Sequence, residues 1–170
     1  MMFCPGRDRI ESSLDGVKDH LKLSNAQLRK MILTLPAIIG INFDNNIKPT
    51  LDSVRNHLNL TEDELRKMIL THPSIIVTSF DDNIKPTLDA VQNYLKLSDD
   101  ELRKMILSLP AIICYSFDNN TKPTLDTLQY RLEISDSELK KMVVTMPSII
   151  SYSNIVPKLD WLQTTFDLNQ

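Results

Sequence analysis

Glycine is nearly missing, with three residues among 170. Strand-rich folds with many tight turns and loops that cradle phosphate both depend on glycine, so both are disfavoured and an all-helical chain is favoured. Cysteine is as scarce: Cys4 and Cys114 are too few for a disulfide framework and lack metal-ligand spacing, which points to a reducing or redox-indifferent compartment. No apolar run reaches the roughly 18 residues that span a bilayer. The longest, residues 31–41, is interrupted by Thr34 and Pro36, so no membrane association is expected. The opening MMFCPGRDRIESS has neither the apolar core of a secretory signal nor the Arg-rich, acid-poor pattern of a transit peptide. A strong charge of one sign is absent too. The net charge of −3 gives no global attraction for nucleic acid or anionic lipid, so any polyanion site must be local.

What the chain does have is a repeat. Met31, Met68, Met105 and Met142 are each 37 residues apart, and so are Pro36, Pro73, Pro110 and Pro147. Cys114 falls at the position of Gly40, Val77 and Ser151, a place for a small packing residue. Each copy reads as two helices. The first, KPTLDSVRNHL in copy two, opens on a proline suited to a first helical turn and places Leu51, Val54 and Leu58 on one face. The second opens with a capping box: Ser24 with Gln27, Thr61 with Glu64, Ser98 with Glu101, Ser135 with Glu138. Its stripe of Leu28, Met31, Ile32 and Leu35 has the i, i+3, i+4, i+7 spacing of a half-buried helix, and the following proline ends it. The short PAIIG and SFDDN segments are expected to form turns or 3₁₀ pieces. One copy cannot bury its own apolar face, so the copies must stack. The expectation is a single all-α solenoid domain over residues 1–170, about four and a half repeats with helix openings near 12, 49, 86, 123 and 157. The last copy, SYSNIVPKLDWL, has lost three residues, as end units of arrays often do.

The stretch LSDDELRKMILSLPAIICYSFDNNTKPTLDTL and its sister copies resemble the mitochondrial transcription termination factor (mTERF) family: a capped helix, a proline, an apolar run, a Tyr/Phe-Ser stretch, then Asn-x-Lys-Pro opening the next helix. The resemblance covers almost the whole chain. It implies a left-handed helical superhelix, residence in mitochondria or chloroplasts, and binding of double-stranded DNA, or sometimes RNA, in organelle gene expression. Members are often more basic than this chain where they meet nucleic acid.

The functional candidate is a ladder of cations: Arg29-Lys30, Arg66-Lys67, Arg103-Lys104 and Lys140-Lys141, with Lys48, Lys85, Lys122 and Lys158 beside the helix-opening prolines. Equal positions in stacked repeats form files, and a file of cations can track a phosphate backbone. The opposite reading is a solvated, self-paired face. Glu62 and Asp63 lie four residues before Arg66 and Lys67, Asp99 and Asp100 four before Arg103 and Lys104, and Asp136 four before Lys140, the favourable order for intrahelical pairs. Arg29 and Lys30 lack such acids, because Asn25 and Ala26 stand in their place. Binding, where it occurs, is expected to be weak and salt-dependent, about 10⁻⁴ to 10⁻⁶ M. RKMIL is identical in three copies, so the ladder cannot spell a varied base sequence. Positions that do vary, Lys18, Arg55, Gln92 and Gln129 with Asp19, Asn56, Asn93 and Tyr130, carry groups suited to base edges or to a protein partner.

Other candidates read as structure. His20 and His57 share a position with Tyr94 and Arg131, which is no metal row. His72 takes the place of Leu35, Leu109 and Met146, the position of a partly buried, hydrogen-bonded histidine. Asp44, Asp81 and Asp82 fit turn chemistry rather than a calcium loop. The four methionines belong to the core, and Phe43, Phe80, Phe117, Tyr115 and Tyr152 read as apolar anchors ahead of base-stacking platforms. No nucleophile–base arrangement appears at usable spacing. A non-enzyme without cofactors is expected, a monomer that binds nucleic acid or, in the rival reading, a scaffold that holds another protein.

Overall fold

The structure, a computed structural model, describes residues 5–151 and 155–166. Among these no strand occurs, and one pattern recurs: two α-helices and a 3₁₀ turn four times over, followed in the first three copies by a π turn. Repeat 1 comprises α1 (Pro5–His20), α2 (Asn25–Thr34), a 3₁₀ turn at Pro36–Gly40 and a π turn at Phe43–Ile47. Repeat 2 has α3 (Lys48–His57), α4 (Glu62–Thr71) and turns at Pro73–Val77 and Phe80–Ile84. Repeat 3 has α5 (Lys85–Leu95), α6 (Asp99–Ser108) and turns at Pro110–Cys114 and Phe117–Thr121. Repeat 4 has α7 (Lys122–Leu132), α8 (Asp136–Thr145) and a 3₁₀ turn at Pro147–Ser151, and α9 (Ile155–Phe166) follows. Tyr152 lies outside the described residues. The chain forms two compact units, Met1–Pro86 and Thr87–Gln170.

The second helices start and stop where the sequence marks them. All four capping boxes are formed, each Ser or Thr oxygen taking the N3 amide while the N3 Gln or Glu takes the cap amide in return. Each ends two residues before its proline, and the cap residue between them, Leu35, His72, Leu109 or Met146, leaves the helical region with φ between −131° and −137° and ψ between 76° and 78°. The first helices end without glycine. Lys22, Asn59, Lys96 and Glu133 sit in the left-handed region with φ between 48° and 51°. The next amide reaches back to a carbonyl five residues earlier, Leu23 to Lys18 at 2.8 Å and Leu97 to Gln92 at 2.9 Å, which closes a Schellman motif.

The first helices begin differently from expectation. The SFDDN segment is neither a loose turn nor 3₁₀. It is one π-helical turn, with Ile84 N donating to the Ser79 carbonyl at 3.1 Å, and it runs without a break into α5. Asn42, Ser79 and Ser116 cap these turns, each side chain accepting an amide three residues on. The Lys-Pro pair therefore lies inside a continuous helical path. A proline there would crowd the carbonyl four residues back in a regular α-turn, and the wider π turn makes room for it.

Packing follows the repeat. Leu51, Val54, Leu88, Val91, Leu125 and Leu128 of the first helices are fully buried, each worth about 1.5–3 kcal/mol relative to exposure. Met31, Met68 and Met105 are 1–2% exposed, and Met142 is half-buried. Each π-turn phenylalanine meets a ring of the preceding first helix edge-on at 5.7 Å: Phe43 with His20, Phe80 with His57, Phe117 with Tyr94. Gly16 lets Phe43 come close, since a Cβ there would lie 2.4 Å from the ring. His72 is half-buried as expected, yet its buried Nδ1 has no hydrogen-bond partner among the described residues, so the expected bond through that atom is not made.

Candidate nucleic-acid interface

The Arg-Lys pairs of the second helices divide by position. The first member is turned toward the fold: Arg66, Arg103 and Lys140 are half-buried. Arg66 Nη2 bonds Asp63 Oδ1 at 2.6 Å, and Lys140 Nζ bonds Glu101 Oε2 at 2.7 Å and the Lys96 carbonyl at 2.9 Å, in the repeat before it. The second member faces water. Lys30, Lys67, Lys104 and Lys141 are exposed and make no ion pair among the described residues, and Arg29 of the first copy is like them.

Most of the first-turn acids bond to groups other than these lysines. Glu62 is held by Lys22, which lowers its carboxyl below the usual range. Asp136 takes Lys96 at 2.9 Å and the Gln129 amide at 2.8 Å, and the Lys96 bond is the main reason its carboxyl is depressed. Glu101 is depressed by Lys140 first and by its capping-box amide second. Asp99 accepts from Gln92 at 2.7 Å. The expected i, i+4 pairs of Lys67, Lys104 and Lys140 are not formed among the described residues: Asp63 pairs with Arg66 three residues on, and Glu62, Asp99 and Asp136 bond outside their own helices.

Among the lysines by the helix-opening prolines, Lys48 and Lys85 are exposed with no ion pair among the described residues, Lys122 is bonded to Asp126 at 3.0 Å, and Lys158 is exposed. Each unit also has an open groove along its π turn and first helix. The groove of the first unit, about 370 Å³, runs past Asn45, Asn46 and Pro49 to Ile76, and that of the second, about 490 Å³, past Asn119, Asn120 and Pro123 to Ile150. Among the described residues the 490 Å³ groove is lined by no charged side chain, and so by none of the cations that hold a phosphate.

Of the variable positions, Gln92 and Gln129 are taken: their amides cap the acids of the following helix and hold the helical hairpin closed. Arg55 is half-buried with Asp52 3.8 Å away. Asn56, Asn93 and Tyr130 stay exposed, Tyr130 by 81%. Sequence reasoning missed Lys22 and Lys96 as links between repeats. Their recurrence 74 residues apart, with Glu62 and Asp136 at the same interval, was the available signal.

The fold and its exposed lysines define a helical-repeat protein with cations presented at recurring positions. The mTERF family profile matches residues 7–160, and the chain belongs to that family. No curated protein matches the chain. The family is one of helical-repeat solenoids, and membership points to a nucleic-acid-binding protein of organelle transcription; members are in general binders rather than enzymes. They are typically organellar, and among the described residues no helix is long and apolar enough to cross a membrane.

Proposed function

We propose that this chain binds the backbone of double-stranded DNA in a mitochondrion or chloroplast and acts on transcription or its termination. The single observation that supports the reading most is the set of exposed lysines, Lys30, Lys67, Lys104 and Lys141, without carboxylate partners among the described residues, while Glu62, Asp63, Asp99 and Asp136 near them are bonded to other groups. Lys48 and Lys85 are available in the same way, and Arg29 adds a cation at the first repeat. Arg66 and Lys140 serve packing, and the half-buried Arg103 and the paired Lys122 stand behind the exposed set. Binding is through charge and spacing and is indifferent to base sequence at these positions.

The test is retardation of labelled duplex DNA and RNA across a salt series. Each of Lys30→Ala, Lys67→Ala, Lys104→Ala and Lys141→Ala is expected to weaken binding uniformly across sequences and reduce the salt slope by about one, while Arg66→Ala leaves the slope unchanged. Absence of retardation at low salt, or retardation that ignores these lysines, overturns the proposal. The charge-free groove beside Asn119 and Asn120 favours a second reading, a scaffold that holds an uncharged stretch of another protein.

A further inference from the structure

The groove of the first unit, about 370 Å³, lies wholly within that unit. Asn45 and Asn46 reach it from the π turn of repeat 1, Thr50 and Ser53 from α3, and Ile76 and Asp81 from the 3₁₀ and π turns of repeat 2. Its volume is that of a ligand site. Four of the side chains that line it have hydrogen-bonding groups that the fold does not use. Thr50 is only 9% exposed, yet its hydroxyl has no partner among the described residues. The same position in repeat 3 is Thr87, whose hydroxyl donates to the Tyr115 carbonyl at 3.3 Å, whereas Thr50 makes no such bond with Thr78. A polar group withdrawn this far from bulk water calls for a partner, and Thr50 lines the groove, so the groove is where one arrives. The side-chain amides of Asn45 and Asn46, both exposed, and the half-buried Ser53 hydroxyl are likewise unbonded among the described residues.

The chemistry of the lining selects the occupant. A carboxamide both donates and accepts, and so does a hydroxyl, so this row suits the alternating N–H and C=O groups of an extended main chain. Ile41 and Ile76 add apolar surface. Among the described residues Asp81 is the one charged side chain in the lining, and it has no ion pair. A phosphate-bearing ligand would meet a carboxylate there and no cation. A Lys or Arg side chain would meet its natural partner.

We infer that this groove holds an extended, basic segment of another protein, its main chain bonded to Asn45, Asn46, Thr50 and Ser53, an aliphatic side chain against Ile41 and Ile76, and a Lys or Arg on Asp81. The site does not depend on the exposed lysines or on nucleic-acid binding, and it shares with the scaffold reading only the class of partner.

Short random peptides displayed on phage, selected on the full chain, test it; the recovered sequences are synthesised with a fluorescent label and titrated by polarisation at low ionic strength. They are expected to pair a Lys or Arg with an aliphatic residue at a fixed spacing. Asp81→Lys weakens their binding about tenfold or more, and exchanging the basic residue of the peptide for Glu restores it on that variant. Ser53→Trp, which fills the groove, abolishes binding. Recovery of no peptide above the yield on Ser53→Trp overturns the inference. So do peptides that ignore both substitutions: where Thr127→Trp removes them instead, they sit in the groove of the second unit, and the scaffold reading stands while this site falls. Labelled duplex DNA whose retardation is lost on Ser53→Trp makes nucleic acid the occupant and overturns the inference as well. Circular dichroism checks that each variant is folded. Should Ser53→Trp unfold, Asn46→Arg, a like charge at an exposed position, takes its place with the same expected loss.

Discussion

Thr121 is fully buried at the end of its π turn, and its hydroxyl has no hydrogen-bond partner among the described residues. Its counterparts in the two earlier repeats are Ile47 and Ile84, both also fully buried. An orphaned hydroxyl loses its water without compensation, at a cost of about 1–3 kcal/mol. Thr121→Ile is therefore expected to stabilise the second unit by about 1 kcal/mol or more, read as a higher urea midpoint with an unchanged slope. A lower midpoint would show that this repeat has closed around the smaller side chain. His72 is a milder instance, standing where other copies carry Leu or Met. The sequence showed these substitutions through the repeat alignment. It did not show whether a partner lay nearby, because that depends on atoms from segments distant in the chain.

At the scale of one element, the left-handed ends of the first helices are the feature composition misjudged. Scarce glycine disfavoured strands, and none occurs among the described residues, yet the chain still needs a positive φ once per repeat. It places Lys, Asn, Lys and Glu there. A side chain other than glycine or asparagine in that region costs about 1 kcal/mol. Lys22 and Lys96 reach the next repeat from this position, whereas Glu133 makes no such bond among the described residues. Glu133→Gly is expected to raise stability by about 0.5–1 kcal/mol, a gain of a few degrees in thermal midpoint, and a loss would mean Glu133 has a stabilising contact in solution. The capping boxes were legible because Ser-x-x-Glu is local and read within four residues. The π turn was not, since the i to i+5 bond has no sequence signature apart from the cap and the Lys-Pro pair that flank it.

At the scale of the whole molecule, stability has two pH limits. Glu62, Glu101, Asp126, Asp136 and Glu138 all have carboxyls lowered by bonds in the fold, to Lys22, Lys140, Tyr94, Lys96 and Ser135 respectively as the largest cause. A carboxyl lowered by folding adds stability above its ordinary value, and that stability is lost as pH falls through the folded value. Tyr94, pushed up to about 12 by burial and by Asp126, behaves the other way: its contribution is whole below about pH 10 and disappears as pH rises toward 12. Urea midpoints are thus expected to hold level from neutral pH down to about 5, to fall below about 4.5, and to fall again above about 10. Tyr94→Phe should remove the alkaline fall and, with it, the latest-titrating tyrosine in an absorbance titration. A midpoint flat through pH 4 would mean that the links between repeats are open in solution. The repeat itself was plain in the sequence, because a 37-residue period is a one-dimensional signal. The pairing between copies was not, since carboxylate and cation stand 40 residues apart and only the stack brings them together.

Helices α4 and α6 differ at two of ten positions, Glu62 against Asp99 in the first turn and Thr71 against Ser108 at the far end, so two small changes are all that separate one seat from another. A chain folding from the ribosome meets several nearly equal choices of neighbour, and a slip by one whole module would bury almost the same side chains. The odd residues Asn25 and Ala26 at one end and Glu133 at the other then act as the marks from which the modules are counted.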